Sequence, residues 1–127
     1  MDKHNILVDT NMLITCVKNK VDIFNILEQK GLKITIPEQV ITELESIHES
    51  KKPIKQRTYA HLTLQILEKR MFKTIDLKTT NVDKGILEFA KANPRITVAT
   101  LDRNLRERLK KHNIRLMTLR SETLQFS

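Results

Sequence analysis

Four acidic side chains lie along this chain at positions where they could act together. Asp9 follows an apolar run at residues 6–8, and Asp102 follows a second apolar run at residues 96–99. Glu43 and Asp83 lie in segments between them that show helical periodicity. Carboxylates gathered in one place bind hard divalent cations such as Mg²⁺ or Mn²⁺, which activate water for phosphodiester hydrolysis. The spacing therefore favours a metal-dependent hydrolase, provided that the fold brings the four acids together.

Each acid also has an ordinary structural interpretation. Asp9, Asp83 and Asp102 lie at or near predicted helix starts, where Asp caps free N–H groups and is stabilised by the helix dipole. Glu43 has the pattern of a solvent-exposed helical glutamate, and Glu45 lies equally close to the apolar stripe of the same helix. Periodicity alone does not choose between Glu43 and Glu45.

The elements that would position these acids alternate regularly. Short apolar or β-branched segments predict strands at residues 4–8, 33–36, 72–77, 96–99 and 114–119. Helical periodicity fills the intervals, with a basic loop expected at residues 50–57 and a helix at residues 58–71. This alternation predicts one domain over residues 1–127, a three-layer α/β/α sandwich with a five-stranded, largely parallel sheet. Ligands gather at the carboxyl ends of such strands, where these acids fall.

Several other functional classes are disfavoured. The chain has two glycines, Gly31 and Gly85, so a phosphate-binding loop of the P-loop or Rossmann type is not expected. Its four histidines lack ligand spacing, and its one cysteine, Cys16, is expected to be buried and structural. No apolar run is long enough to span a bilayer, and the N-terminus does not have the pattern of a signal peptide. We therefore expect a cytoplasmic protein with no membrane partner.

The charge balance favours a polyanionic partner. The chain carries 23 Lys and Arg against 15 Asp and Glu, a formal net charge of +8, and cations in contact with phosphates supply most non-specific nucleic-acid affinity. An ordinary lysine-rich surface would give the same balance. Two basic groups lie near the predicted acid cleft, and from them we predict these nucleic-acid-binding residues: Arg103, Arg106, Lys110, Lys55 and Arg57.

Four stretches together resemble a known family. Residues 7–11, 36–44, 81–87 and 98–105 are similar, in order and spacing, to the successive motifs of PIN-domain ribonucleases, including small archaeal PIN proteins, ribosomal-RNA processing factors and VapC-type toxins. The resemblance implies a Mg²⁺ or Mn²⁺ cofactor, endonucleolytic cleavage of single-stranded RNA and a homodimer. It also implies an antitoxin or a ribosome-assembly protein as a further possible partner.

The resemblance assigns roles to six residues. It implies that the metal-binding and catalytic quartet is Asp9, Glu43, Asp83 and Asp102, and it favours Glu43 over Glu45. Thr100 and Asn11 match polar positions that would orient carboxylates or water beside the quartet.

Three positions depart from the family pattern: Leu101, Asn104 and Lys84 stand where small or acidic residues are common. They support an alternative, a PIN module that binds RNA or a ribosome-assembly partner without cutting. A phospho-acceptor receiver domain shares the α/β outline, but it usually needs paired acids after the first strand, and Thr10-Asn11 does not supply them.

Overall fold

The computed structural model describes residues 4–120 and 123–126. Six strands and six helices follow one another along this part of the chain, beginning with a strand that leads directly to Asp9. In chain order they are β1 (Asn5–Val8), α1 (Thr10–Lys18), α2 (Ile23–Gln29), β2 (Lys33–Pro37), α3 (Glu38–Glu49), α4 (Ile54–Glu68), β3 (Lys73–Ile75), α5 (Val82–Ala92), β4 (Thr97–Ala99), α6 (Arg103–Lys111), β5 (Arg115–Arg120) and β6 (Thr123–Phe126).

The strands form a single sheet in the order β3-β2-β1-β4-β5-β6. The first five strands in the sequence pair in parallel, and β6 pairs antiparallel with β5. The prediction of a largely parallel α/β fold is confirmed, but the predicted number of five strands is wrong. The sixth strand was missed because it is only four residues long and buries one side chain, Leu124, so periodicity gives almost no signal there.

The start of α4 also differs from the prediction. We expected a loop to Arg57 and a helix from Thr58, whereas the helix begins at Ile54, directly after Pro53. Pro53 is the N-cap, and its carbonyl accepts the first hydrogen bond of the helix, 3.2 Å from the Arg57 N–H. Because an N–H at the start of a helix has no partner within the helix, the missing N–H of Pro costs nothing there, and Pro53 initiates the helix instead of prolonging the loop. The basic residues expected on a flexible loop are consequently divided between a short turn and the first turns of α4.

The buried apolar residues of β1, within the sheet between β2 and β4, position Asp9. Ile6, Leu7 and Val8 of β1 are each 0% exposed, as expected for a strand covered on both faces. Connections that run from β1 towards β3 use helices α1–α4, and those that run towards β5 use α5 and α6. Because parallel crossovers are right-handed, these two groups cover opposite faces of the sheet. Among the described residues, no helix is both long and apolar enough to cross a membrane.

The chain changes direction between β1 and β4. The connection after β1 runs to one side of the sheet and the connection after β4 runs to the other, although the two strands are hydrogen-bonded neighbours. A crevice forms at such a switch point, at the carboxyl ends of the two strands. Asp9 directly follows β1, and Thr100 directly follows β4, so both lie at this crevice.

Candidate active site

Asp9 lies at the centre of the crevice and is 3% exposed. Its Oδ1 accepts a hydrogen bond of 2.7 Å from the Thr10 N–H at the start of α1, so the helix cap expected from the sequence is present. Its Oδ2 accepts a second hydrogen bond, 2.9 Å long, from the Thr100 hydroxyl. The two bonds fix the Asp9 carboxylate between the ends of two neighbouring strands.

The surroundings of Asp9 oppose its ionisation. Burial raises the pKa of Asp9 to about 6, against the opposing effect of the hydrogen bonds from Thr100 and Thr10. The negative charges of Asp83 and Glu43 raise the pKa further. The Asp9 carboxylate therefore lies within electrostatic range of Asp83 on α5 and Glu43 on α3.

Thr100 links Asp9 to Asp102. Its hydroxyl donates to Asp9 and accepts a hydrogen bond of 3.2 Å from the Asp102 N–H. Asp102 is the N-cap of α6, where its Oδ1 accepts a hydrogen bond of 3.1 Å from the Leu105 N–H. Capping and proximity to the other acids thus occur together at both Asp9 and Asp102.

Asp83 has no capping role. Asn81 caps α5 by accepting a hydrogen bond of 3.1 Å from the Lys84 N–H, as its position in the sequence suggested. Partial burial raises the pKa of Asp83, as do the charges of Asp102 and Glu43 and a hydrogen bond between the carboxyl groups of Asp83 and Asp102. The four predicted acids thus converge electrostatically at one site.

Glu43 reaches this site from α3. It is half-buried, and its charge acts on both Asp9 and Asp83, whereas Glu45 two residues later is exposed. Asn11, the last of the six predicted polar residues, is exposed in the first turn of α1 and lines a cleft that adjoins the acids.

The donor chemistry of the site suits a hard divalent cation, because its charged donors are all carboxylate oxygens that repel one another. Within residues 4–120 and 123–126, no three His, Cys, Asp or Glu side chains are close enough together to hold a metal ion. In this conformation the acids therefore interact through their charges without forming a closed coordination shell.

The predicted RNA-binding residues occupy two surfaces. Arg103, Arg106 and Lys110 line a depression of about 290 Å³ beside Asp102. Arg106 also donates to the carbonyls of Thr100, at 3.0 Å, and Met117, at 3.4 Å. It therefore ties the residue that follows β4 to the middle of β5, a structural contact that the spacing of charges did not indicate.

The other two predicted cations lie on α4. Lys55 is exposed and lines a cleft of about 650 Å³ between α1, α3 and α4. The Nε of Arg57 donates to the Lys52 carbonyl at 2.9 Å, which secures the turn before α4. Lys55 is thus the more accessible of the two to an RNA phosphate.

Sequence reasoning missed Arg108. Its positive charge lowers the pKa of Asp83 and partly offsets the rise in that pKa caused by Asp102 and Glu43. Arg108 lies one turn after the buried Leu105, at the edge of α6 that faces α5. The sequence shows that Arg108 lies beside the apolar stripe of α6, but it does not show which neighbouring helix Arg108 faces. Lys18 and Tyr59, which line the larger cleft, were missed for the same reason.

Comparison with known proteins identifies the family of the chain. Residues 6–122 match the family described as PIN like domain. Ribonuclease VapC4 of Methanocaldococcus jannaschii is 30% identical over 122 residues, which cover 94% of this chain and 92% of that protein.

Two solved structures share the fold. The PIN domain endonuclease Utp24 superposes with a TM-score of 0.80 at 22% identity, covering 97% of this chain and 90% of the other. VapBC2 from Rickettsia felis, solved with a DNA fragment from its promoter, gives a TM-score of 0.63 at 21% identity, covering 91% and 99%. The chain belongs to the PIN-like domain family of nucleases and is a homologue of a VapC ribonuclease.

Proposed function

We propose that this protein is a Mg²⁺- or Mn²⁺-dependent endoribonuclease that hydrolyses phosphodiester bonds in single-stranded RNA. The observation that carries the proposal is the convergence of four carboxylates at the switch point of the sheet, where burial and mutual repulsion raise the pKa of Asp9 and Asp83. A divalent cation relieves this repulsion directly. The homologous VapC ribonuclease supports the reaction class.

Each acid has a proposed task. Asp9, Asp83 and Asp102 would hold the metal ion, and Glu43 would help to bind it or position the attacking water. Bound there, the ion would lower the pKa of water and neutralise charge on the phosphoryl oxygens. Thr100 keeps Asp9 and Asp102 in register through its two hydrogen bonds. Asn11, at the mouth of the site, would orient water or a carboxylate.

Charge supports RNA as the substrate. The acids lie in a chain of net charge +8, between one depression lined by Arg103 and Lys110 and a second cleft lined by Lys55. Cations on both sides of an acidic centre would hold a polyanion across it. RNA processing and RNA-cleaving toxins act inside the cell, so the proposal includes a cytoplasmic location.

An exposed apolar surface supports a protein partner. Leu62 and Ile66, one turn apart on α4, are 40% and 36% exposed, and Met71 just beyond the helix is 95% exposed. The proposal includes a second copy of the chain as this partner, with an antitoxin or a ribosome-assembly protein as alternatives. Light scattering would give about twice 14.9 kDa for the homodimer and 14.9 kDa for a chain that awaits another protein.

The biological role within this chemistry is either RNA processing or toxicity. The relatives include a ribonuclease named VapC4 and the endonuclease Utp24. Growth arrest on expression, relieved by the product of a neighbouring gene, would identify a toxin. Unaffected growth with altered ribosomal-RNA or transfer-RNA precursors in a deletion strain would identify a processing enzyme.

The activity is tested with end-labelled, single-stranded RNAs of defined sequence, incubated with Mn²⁺, Mg²⁺ or EDTA. We expect internal cuts with either metal and none with EDTA. Glu43→Gln should slow cleavage, whereas Glu45→Gln, on the same helix and with the same loss of charge, should cut like the wild type. Cleavage that persists in EDTA would contradict the proposal. RNA binding without cleavage under any metal would favour the non-catalytic module.

A further inference from the structure

The cleft of about 650 Å³ between α1, α3 and α4 has features that metal binding does not use. Asn11, Ile14, Thr15 and Lys18 form its wall on α1, at the i, i+3, i+4 and i+7 spacing of a single helix face. This face is separate from the buried face of α1 that packs into the core. The helix thus presents a continuous lining that begins beside the acids and ends in a cation.

Two residues of the cleft lining lie close to the acids along their own helices. Asn11 is two residues beyond Asp9, and Ile47, on the opposite wall, is one helical turn beyond Glu43. Lys18 lies seven residues past Asn11, about 10 Å further along the axis of α1. A strand whose phosphate lay at the acids would therefore continue into this cleft.

The chemistry of the lining matches a single nucleic-acid strand. Lys18, Lys52 and Lys55 are exposed, and none of the three forms an ion pair within the part of the chain that the structure describes. Tyr59, the only tyrosine in the chain, is half-buried in the wall on α4. Cations along a groove that also holds an aromatic ring form the usual combination for binding unpaired bases.

We propose that this cleft binds the nucleotides of single-stranded RNA on one side of the scissile phosphate. Tyr59 stacks on a base, and Lys18 and Lys55 contact backbone phosphates. The inference rests on the proposed function for the identity of the ligand, but binding in the cleft does not require cleavage. The depression beside Asp102, on the other helical layer, would receive the strand on the opposite side of the cut.

The chain offers a direct probe of the cleft, because it contains no tryptophan. Tyr59→Trp places a single indole in the cleft, with an emission that can be excited selectively. The variant is titrated in EDTA with a single-stranded oligouridylate, and binding is followed in parallel by anisotropy of the labelled RNA. We expect quenching that saturates at the RNA concentration at which the anisotropy saturates. Anisotropy that saturates while the emission stays constant would overturn the proposal.

A charge-matched pair tests the phosphate contact. Lys18→Gln removes a cation from the cleft, and Lys30→Gln removes one from the exposed end of α2. For Lys18→Gln we expect weaker RNA binding and a log–log salt slope that is shallower by about 0.7, the value for one phosphate on a single strand. Lys30→Gln should keep the wild-type slope. Equal losses in the two variants would show that the cleft is not the binding site.

The aromatic contact is tested separately. Tyr59→Ala should weaken binding about tenfold, in the range for one stacked base, while Tyr59→Phe keeps the ring and wild-type affinity. If Tyr59→Ala melts without a cooperative transition, the RNA affinities of Tyr59→Phe and Tyr59→Trp are measured instead. Both variants retain a ring that can stack on a base, so both should bind RNA. Loss of binding in both would contradict stacking.

The outcomes separate this proposal from the catalytic one. Quenching together with the Lys18→Gln effect, but no metal-dependent cleavage, would support the cleft and overturn the nuclease assignment. Metal-dependent cleavage with wild-type affinity in Lys18→Gln and Tyr59→Ala would overturn the cleft and leave the nuclease assignment intact.

Discussion

Two aspartates with the same local role have opposite environments. Asp9 is the N-cap of α1 and Asp22 is the N-cap of α2, and each accepts a hydrogen bond from a backbone N–H of its helix. The Asp22 side chain is 47% exposed and pairs with Arg70 at 2.7 Å. Asp9 is buried, and no cation pairs with it among residues 4–120 and 123–126. A capping motif in the sequence therefore does not distinguish an exposed, ion-paired acid from a buried one without a paired cation.

The pKa values of the two carboxyl groups move in opposite directions. Burial alone would raise the pKa of Asp22, but the Asn25 N–H and the guanidinium of Arg70 outweigh burial and lower it. At Asp9, burial prevails and the charges of Asp83 and Glu43 add to it, so the pKa rises to about 6. Asp22 is paired with a cation of the protein, Arg70, whereas no Lys, Arg or His among the described residues pairs with Asp9. A site of this kind is suited to a metal ion.

Cleavage should show the largest difference between these two aspartates. Asp9→Asn keeps the cap and the shape but removes the proposed metal ligand. Because loss of even a group that supports a ligand costs 10–100-fold, we expect cleavage to fall by more than about 100-fold. Asp22→Asn should cut at the wild-type rate in the same gel assay. Equal rates for wild type and Asp9→Asn would remove Asp9 from the site.

Asp9→Asn should lower the rate of cleavage but raise the stability of the metal-free protein. Below about pH 4 Asp9 is protonated in the folded and unfolded states alike. As pH rises from 3.8 to about 6, the folded state retains the proton that the unfolded state has lost, so the free energy of unfolding falls. Above this window the linkage cost is of the order of 3 kcal/mol. Asp9→Asn removes that cost, and urea denaturation in EDTA should show it to be more stable than wild type at pH 7.5.

The pH dependence supplies the control for that prediction. The stability difference between Asp9→Asn and wild type should shrink towards zero as the pH approaches 4, since Asp9 is then neutral. A difference that is constant from pH 4 to 7.5 would indicate packing as its cause and contradict the account of the charge.

Thr100 tests whether Asp9 depends on its positioning partner. Thr100→Val keeps the shape of the side chain but removes the donor to Asp9 and the acceptor for the Asp102 N–H. We expect cleavage to fall about tenfold, as for other groups that orient a metal ligand. Thr97→Val is the matched control, because Thr97 lies in β4, the strand that Thr100 follows, and its buried hydroxyl has no partner in the described part of the chain. A loss of cleavage as large in Thr97→Val would argue against a specific role for Thr100.

The smallest effects are expected at the exposed ion pairs, that of Asp22 with Arg70 and that of Glu88 with Lys91. Asp22→Asn keeps a capping side chain and loses the ion pair with Arg70, so the free energy of unfolding should fall by about 1 kcal/mol or less. The loss should disappear at high salt and as pH falls through the lowered pKa of Asp22, because the pair no longer contributes there. Glu88→Gln breaks a looser pair with Lys91, at 3.5 Å, and should cost less still. A salt-independent loss at Asp22 would mean that the ion pair is not its cause.

The sequence predicted the features that repeat along the chain. Alternation of apolar strands with amphipathic helices identified the parallel α/β fold, and acids after strand ends identified the crevice. The presence of strand β6 could not be predicted, since Leu124 is its one buried residue and gives no alternating pattern. The choice between Glu43 and Glu45 needed either the family resemblance or the structure, because both lie at the edges of the same apolar stripe.

Side-chain contacts between distant elements were equally inaccessible. Arg106 has the spacing of a surface cation, but its contacts with the carbonyls of Thr100 and Met117 depend on how α6 packs. The lining shared by Lys18 and Tyr59 likewise exists only because α1 packs against α4. Periodicity assigns a residue to a face of its own helix, and the neighbour on that face is set by the tertiary structure.

The most direct test of the metal site is the thermal stability of wild type and Asp9→Asn at pH 7.5, each measured in EDTA and in Mn²⁺. A ligand that binds only the folded state stabilises it. We predict that Asp9→Asn has the higher melting temperature in EDTA, and that Mn²⁺ raises the melting temperature of wild type and leaves that of the variant unchanged. Equal stabilisation of both proteins by Mn²⁺, or of neither, would contradict a metal site centred on Asp9.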